Sequence, residues 1–239
     1  MPYRLATSQR ILKLPLLLYC LLVLNTSRRY NLIMQPIKRS ELWHAEVTLL
    51  VAVILQLTIS KQLQLGPKYM VSGLLVLLIV ATAFTAPKRH LGNARRHITV
   101  STLLIGLVSL ANAGELALLT HALIHDTQIP GKSLLSGALA IFLTNIIVFG
   151  LWYWELDGPG LSGRHTLTDH QFQFPQSSKS SWQPTFFDYL YVSLTNSTAF
   201  SPTDTLPLTH FAKGLMSAQA LIALLTVVLV TARAVNILG

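Results

Sequence analysis

The sequence predicts an all-α integral membrane protein: about five transmembrane helices, with a short re-entrant, pore-like helix before the last. Three observations carry this. Of 239 residues, 51% are hydrophobic and only 11% are charged, where a soluble domain carries about 25%. Mean hydropathy is +0.52. The scarce charges fall between apolar runs rather than inside them. So few charges cannot cover the surface of a water-soluble body, which excludes a soluble enzyme, a disordered tail and a secreted disulfide scaffold. The single cysteine, Cys20, cannot form an internal bridge and leaves the redox compartment unread.

The first 40 residues form a basic N-terminal segment with a short apolar run. Leu14 to Leu24 is an 11-residue stretch preceded by Arg10 and Lys13, the order of a signal peptide. It is too short to span comfortably, and Asn25-Thr26-Ser27-Arg28-Arg29 follows where a small-x-small cleavage site would stand. Three readings compete: an uncleaved interfacial or signal-anchor helix, a true start at Met34, and a cleaved signal.

Residues 41–154 read as a four-helix membrane region. A spanning helix needs about 20 mainly apolar residues. Trp43 to Ile59 is apolar but short and carries Glu46. Lys68 and Lys88 bracket the uncharged run Tyr69 to Pro87, and Pro87 terminates it. Ile98 to Ile124 is long enough to tilt and carries Asn112 and Glu115. Lys132 and Glu155 bracket Ser133 to Trp154, which closes on Trp152-Tyr153-Trp154, an aromatic belt in the interfacial reading. The fifth span is Gly214 to Ala232, between Lys213 and Arg233.

The formal net charge of +9 is a topology signal. Four basic residues precede the first span (Arg28, Arg29, Lys38, Arg39), and four lie between the second and third (Lys88, Arg89, Arg95, Arg96). Two lie between the first and second (Lys61, Lys68), and one between the third and fourth (Lys132). The excess places the N-terminal flank and the Lys88–Arg96 loop in the cytoplasm of an inner (plasma) membrane protein. No nucleic-acid partner is implied. Alternation then puts residues 155–212 on the cytoplasmic side and the C-terminus outside.

Residues 155–184 change register to a polar linker rich in Gly, Ser, Gln, His and Pro, a solvated composition. Residues 185–239 hold the remaining features. Thr185 to Leu194 is apolar and aromatic but about ten residues long; Thr195 to Asp204 is hydroxyl-rich and reads as non-helical; the last span follows. Short helix, extended hydroxyl-rich stretch, acid and spanning helix is the order of a re-entrant pore loop. Irregular backbone at membrane depth survives only where protein or water satisfies it, and such groups can replace an ion's hydration shell. The alternative is an interfacial helix followed by a polar loop that caps the final span. The pore-loop residues are Thr195, Asn196, Ser197, Thr198, Ala199, Phe200, Ser201 and Asp204.

Phe187-Asp188-Tyr189-Leu190-Tyr191-Val192-Ser193-Leu194-Thr195-Asn196-Ser197-Thr198-Ala199-Phe200-Ser201, then Asp204, resembles the pore helix and filter of two-transmembrane potassium-channel domains. The rhythm Asp188-x-x-Tyr191-x-Ser193 matches that pore helix, and Ser197 to Ser201 lies where the family has its filter. The resemblance makes the fourth span an outer helix and the last span, with Gly214, Ser217, Ala218, Ala220 and Ala223, an inner one. Ala199 and Ser201 replace the filter glycines, whose freedom turns carbonyls inward, so the hydroxyls of Thr195, Ser197, Thr198 and Ser201 would line a wider, less selective path. Residues 41–239 also resemble a group of uncharacterised bacterial inner-membrane proteins with an Arg-rich second loop and a last helix ending near Val235-Asn236. In potassium channels the loop enters from outside; the charge count puts this one inside, as in glutamate-receptor channels. The loop is inverted, or the third segment does not fully span, or the likeness is local.

Three further polar residues fall inside spans. Glu115 is an intramembrane acid and so a candidate proton or cation relay, with Asn112 on the same face; at about 26 Å along its helix it stands near the far interface, where it can snorkel. Asn145, mid-span, reads as helix–helix hydrogen bonding. Glu155 and Asp157 read as interface residues that turn the chain out with Gly158 and Gly160, and His44 and Glu46 as solvated. His121 and His125 lack a third ligand, so no metal or other cofactor is implied. No enzyme motif is present. The expected function is ion transport by a channel-like homo-oligomer in the lipid bilayer, with monovalent cations as cargo; the opposing reading is a non-conducting structural or interaction protein.

Overall fold

The computed structural model describes residues 33–34, 39–59, 63–64, 69–85, 94–125, 130–157, 164–165, 170–178, 182–198 and 204–238. The chain divides into two units, Met1–Asn31 and Leu32–Gly239, and the described residues all belong to the second. The expectations for Leu14–Leu24 and for the start lie outside them.

The described residues form six α-helices: α1 Arg39–Leu57, α2 Met70–Thr85, α3 Ala94–His125, α4 Gly131–Asp157, α5 Phe186–Thr198 and α6 His210–Leu238. Four are long and apolar enough to cross a membrane, within Ser40–Leu57, Val100–Ile124, Gly131–Asp157 and His210–Ala232. The expected second span is the exception. The α2 helix has 16 residues, about 24 Å of axis against a hydrocarbon core of about 30 Å. It begins at Met70 because Tyr69, at φ 72°, lies in the left-handed region that a bulky residue rarely visits and so cannot continue a helix backwards.

Hydrogen bonds order the helix ends. The Phe186 N–H donates to Glu41 Oε2 at 2.8 Å, and Ser101 Oγ donates to Glu155 Oε1 at 3.2 Å. The starts of α1, α3 and α5 and the end of α4 therefore share one end of the bundle. At the other end of α1, Gln56 Nε2 donates to Glu115 Oε2 at 2.9 Å, and α2 starts beside that pair. Just beyond, Ile59 and Leu63 pack into an apolar cluster with Leu116, Leu119 and Ala122 of α3 and Leu134, Ala138 and Ile141 of α4. Gly137 makes room for it, since a Cβ there would stand 2.9 Å from Leu63 Cδ1.

The strands are two-residue pairings. β1 (Ile33–Met34) pairs antiparallel with β2 (Arg164–His165), and β3 (Phe172–Gln173) with β4 (Leu206–Pro207). The second pairing ties the linker to the chain just ahead of α6. The Leu208 N–H adds a bond to Gln171 O at 2.8 Å. Thr209 caps α6, its Oγ1 accepting from the Ala212 N–H at 3.2 Å.

The α5 helix runs antiparallel to α4. Phe186 meets Trp154 ring to ring at 5.2 Å, Leu190 meets Gly150, and Ser193 Oγ donates to Ile146 O at 2.6 Å. The helix thus starts at the Asp157 end of α4 and reaches the level of its middle. By Leu206 the chain is back at β3, next to Asp157, whose carboxylate accepts from the Gln171 and Phe172 N–H groups.

Candidate functional site

The most connected polar site lies where α4, α5 and α6 meet. Gln219 is fully buried on α6. Its Oε1 accepts from Asn196 Nδ2 at 2.9 Å and from the Tyr153 hydroxyl. Its Nε2 faces three acceptors: Ser193 O at 3.0 Å, Ser193 Oγ at 2.6 Å and Ser197 Oγ at 2.8 Å. Asn196 Nδ2 also donates to Met216 O at 2.9 Å. Because Gln219 receives donors on one side and acceptors on the other, its amide has one orientation. The joint occupies both functional atoms of Gln219, so it is a lock between helices, strong where water is excluded.

A second buried site, at the end of α4, holds the linker. Asp157 is 3% exposed. One carboxylate oxygen accepts from the Gln171 and Phe172 N–H groups, the other from the Tyr189 hydroxyl at 2.9 Å, and His170 Nδ1 lies 3.7 Å away. Around it, Phe172 and Tyr153 stack edge to face at 5.1 Å and Phe174 and Tyr189 at 5.3 Å.

The pore-loop residues divide. Asn196 and Ser197, expected to face a pathway, are buried in the lock. Thr195 and Thr198 donate to carbonyls of their own helix, Tyr191 O at 3.0 Å and Leu194 O at 2.9 Å. The stretch expected to be non-helical from Thr195 is helical through Thr198. These hydroxyls satisfy themselves on the preceding turn instead of breaking it. Asp204 is exposed, and Ala199, Phe200 and Ser201 lie outside the described residues. In the Asp188-x-x-Tyr191-x-Ser193 rhythm, Asp188 closes a cap, its Oδ2 accepting from Thr185 N and Oγ1, both at 2.7 Å. Tyr191 is exposed, and Ser193 belongs to the lock.

Several interface expectations are corrected. Trp152, Tyr153 and Trp154 form no outward belt. All three are buried, Trp152 Nε1 donating to Ser109 Oγ at 2.8 Å, because α4 is the central helix and α3, α5 and α6 pack on it. Glu155 and Asp157 are likewise buried, at 1% and 3% exposure. His44 is half-buried, its ring 4.8 Å from Phe187. Glu115 does not snorkel: it is fully buried against Gln56, in a cleft that Gln64, Tyr69, Met70, Val71 and Ser72 complete. Asn112 Nδ2 donates to Ile141 O at 3.3 Å, and Asn145 is buried one turn further along α4.

Gln219 and Gln56 are the buried polar side chains of these sites that the pattern reading passed over, while Tyr153 and Asp157 were read only as interface residues. Gln219 had a signal: it is the only amide side chain between Lys213 and Arg233, and a lone amide in an apolar helix demands a partner. No family model, no curated protein and no solved structure matches this chain.

Proposed function

We propose that the chain is a multi-pass inner-membrane protein of channel-like build, with α4 as outer helix, α5 as re-entrant element and α6 as inner helix, and that it moves monovalent cations as a homo-oligomer. The observation that carries this reading is the outward face of α5. Phe187, Tyr191 and Leu194 are each 43–54% exposed, while Ser193, Asn196 and Ser197 are buried at 0–4% beside the apolar Phe186, Tyr189 and Val192. A helix in water keeps more of its large apolar side chains covered. A helix immersed in lipid turns apolar side chains outward and keeps its hydrogen-bonding groups inside the protein. The return of the chain to β3 by Leu206 supports reading α5 as a re-entrant segment. In α6 only 22% of the apolar window is buried, which leaves a face for a symmetry partner, and one pore loop cannot enclose a path alone.

The sidedness follows from the shared bundle end. Arg39, Arg95 and Arg96 lie in the first turns of α1 and α3, at the end from which α5 also starts, so the positive-inside rule supports a loop entering from the cytoplasm. A reporter fused within residues 160–180 is expected on the cytoplasmic side; an external signal overturns the inverted arrangement. Reconstituted protein is expected to pass monovalent cations into liposomes under a gradient. No flux under any gradient, with a monomer in native mass spectrometry, overturns the channel reading. The non-conducting reading is favoured by one observation: Ser193, Asn196 and Ser197 spend their hydrogen bonds on the lock.

A further inference from the structure

The interface of α3 and α4 holds polar atoms that the lock does not explain. Asn112 Oδ1, Thr144 Oγ1 and Asn145 Nδ2 are buried without a hydrogen-bond partner, in residues 3%, 0% and 2% exposed. Asn112 meets α4 at the turn that leads to the other two. Asn112 Nδ2 is 3.3 Å from Ile141 O, and in α4 that carbonyl is the acceptor for the backbone N–H of Asn145, four residues on. The Asn112 amide nitrogen therefore stands within about 6 Å of the Asn145 backbone nitrogen, which makes the two side chains neighbours across the helix pair. Thr144 flanks the same turn.

Exchanging the Asn112 amide atoms would not help. Only its nitrogen can donate to Ile141 O, so its oxygen must face elsewhere. Leaving such atoms bare in an apolar interface is costly, and bridging water is the ordinary remedy where two to four polar partners converge.

We propose that a water molecule is bound between α3 and α4, donating to Asn112 Oδ1 and accepting from Asn145 Nδ2, with the Thr144 hydroxyl as its third partner. The chemistry selects water. The site offers one carbonyl acceptor and one amide donor. A cation is repelled by the amide N–H, an anion by the carbonyl, and only a group that both donates and accepts fits both. Asn112 is also three residues from Glu115 on one helix face, which puts the water one turn from the buried carboxylate. The inference is independent of the channel reading.

Radiolytic hydroxyl labelling of the whole protein in lipid nanodiscs tests this, since radicals born from a bound water oxidise the side chains beside it. Ile141 and Val108, both fully buried, are compared with Leu49 and Leu75, equally buried elsewhere. Severalfold greater oxidation of Ile141 and Val108 is expected; equal oxidation overturns the proposal, as would a direct Asn112–Asn145 contact that leaves no water. In the Asn112→Leu/Asn145→Leu variant the excess at Ile141 is expected to vanish. Its persistence means that these amides do not hold the water and also overturns the proposal. Where that variant fails to fold, the wild-type comparison decides.

Discussion

Asn196 Nδ2 donates to Gln219 Oε1 at 2.9 Å, and both side chains are buried, at 4% and 0% exposure. This bond joins the short helix α5 to the last helix α6. Its neighbours Ser193, Ser197 and Tyr153 close the rest of the joint.

Replacing Gln219 by Leu takes the acceptor from the Tyr153 hydroxyl and one of two acceptors from Asn196, which keeps Met216 O, and removes the donor that Ser193 and Ser197 accept from. Unpartnered buried groups cost about 1–3 kcal/mol, so Gln219→Leu is expected to destabilise the protein by roughly 2 kcal/mol, read as a lower unfolding midpoint in detergent or nanodiscs. An unchanged midpoint would show that α5 and α6 hold together without the lock.

Tyr153→Phe removes one donor while keeping the ring against Phe172 and Phe149. Its cost should be smaller, about 0.6–1 kcal/mol, the usual worth of a hydrogen bond inside a membrane protein. Combined with Gln219→Leu the losses should not add, because the two variants break the same bond. Additive losses in the double-mutant cycle would refute that.

Asp157 holds the linker by two backbone N–H groups and the Tyr189 hydroxyl. Asp157→Ala is expected to release residues 170–178 from the end of α4, and limited proteolysis would reveal it as faster cleavage there than in wild type. Asp157→Asn keeps an acceptor oxygen and should restore part of the protection.

Gly150 lets α5 approach α4 closely. A Cβ there would lie 3.1 Å from Leu190 Cδ1 and 3.2 Å from Leu190 Cα. The second contact is backbone, so a side-chain rotation cannot relieve it. Gly150→Val is expected to push α5 off α4 and to weaken the Ser193 bond to Ile146 O, costing about 1–3 kcal/mol as overpacking does. Cysteine pairs across the two helices would report the separation through their cross-linking rate.

The apolar runs fenced by charges made the helices legible, and α3, α4 and α6 fall close to the expected spans. The lock was less legible. Ser193, Asn196 and Ser197 stood out as hydroxyl and amide residues, but their pattern alone suited a pathway lining as well as a packed joint. What separates the two is Gln219, more than twenty residues further on. The aromatic end of α4 misled for a similar reason: Trp-Tyr-Trp is the composition of an interface belt and equally of a helix packed on all sides.

The sequence by itself determined that the chain is helical and apolar and where its scarce charges interrupt it, because hydropathy and length are sums over neighbouring residues. Only the tertiary structure decided which polar groups face each other. It buried Glu115 against Gln56, turned the Ser193, Asn196 and Ser197 face of α5 inward, and brought Asp157 to the backbone of Gln171 and Phe172. Hydrogen bonds are short and directional, so their partners depend on how helices far apart in the chain pack side by side, which no local pattern encodes.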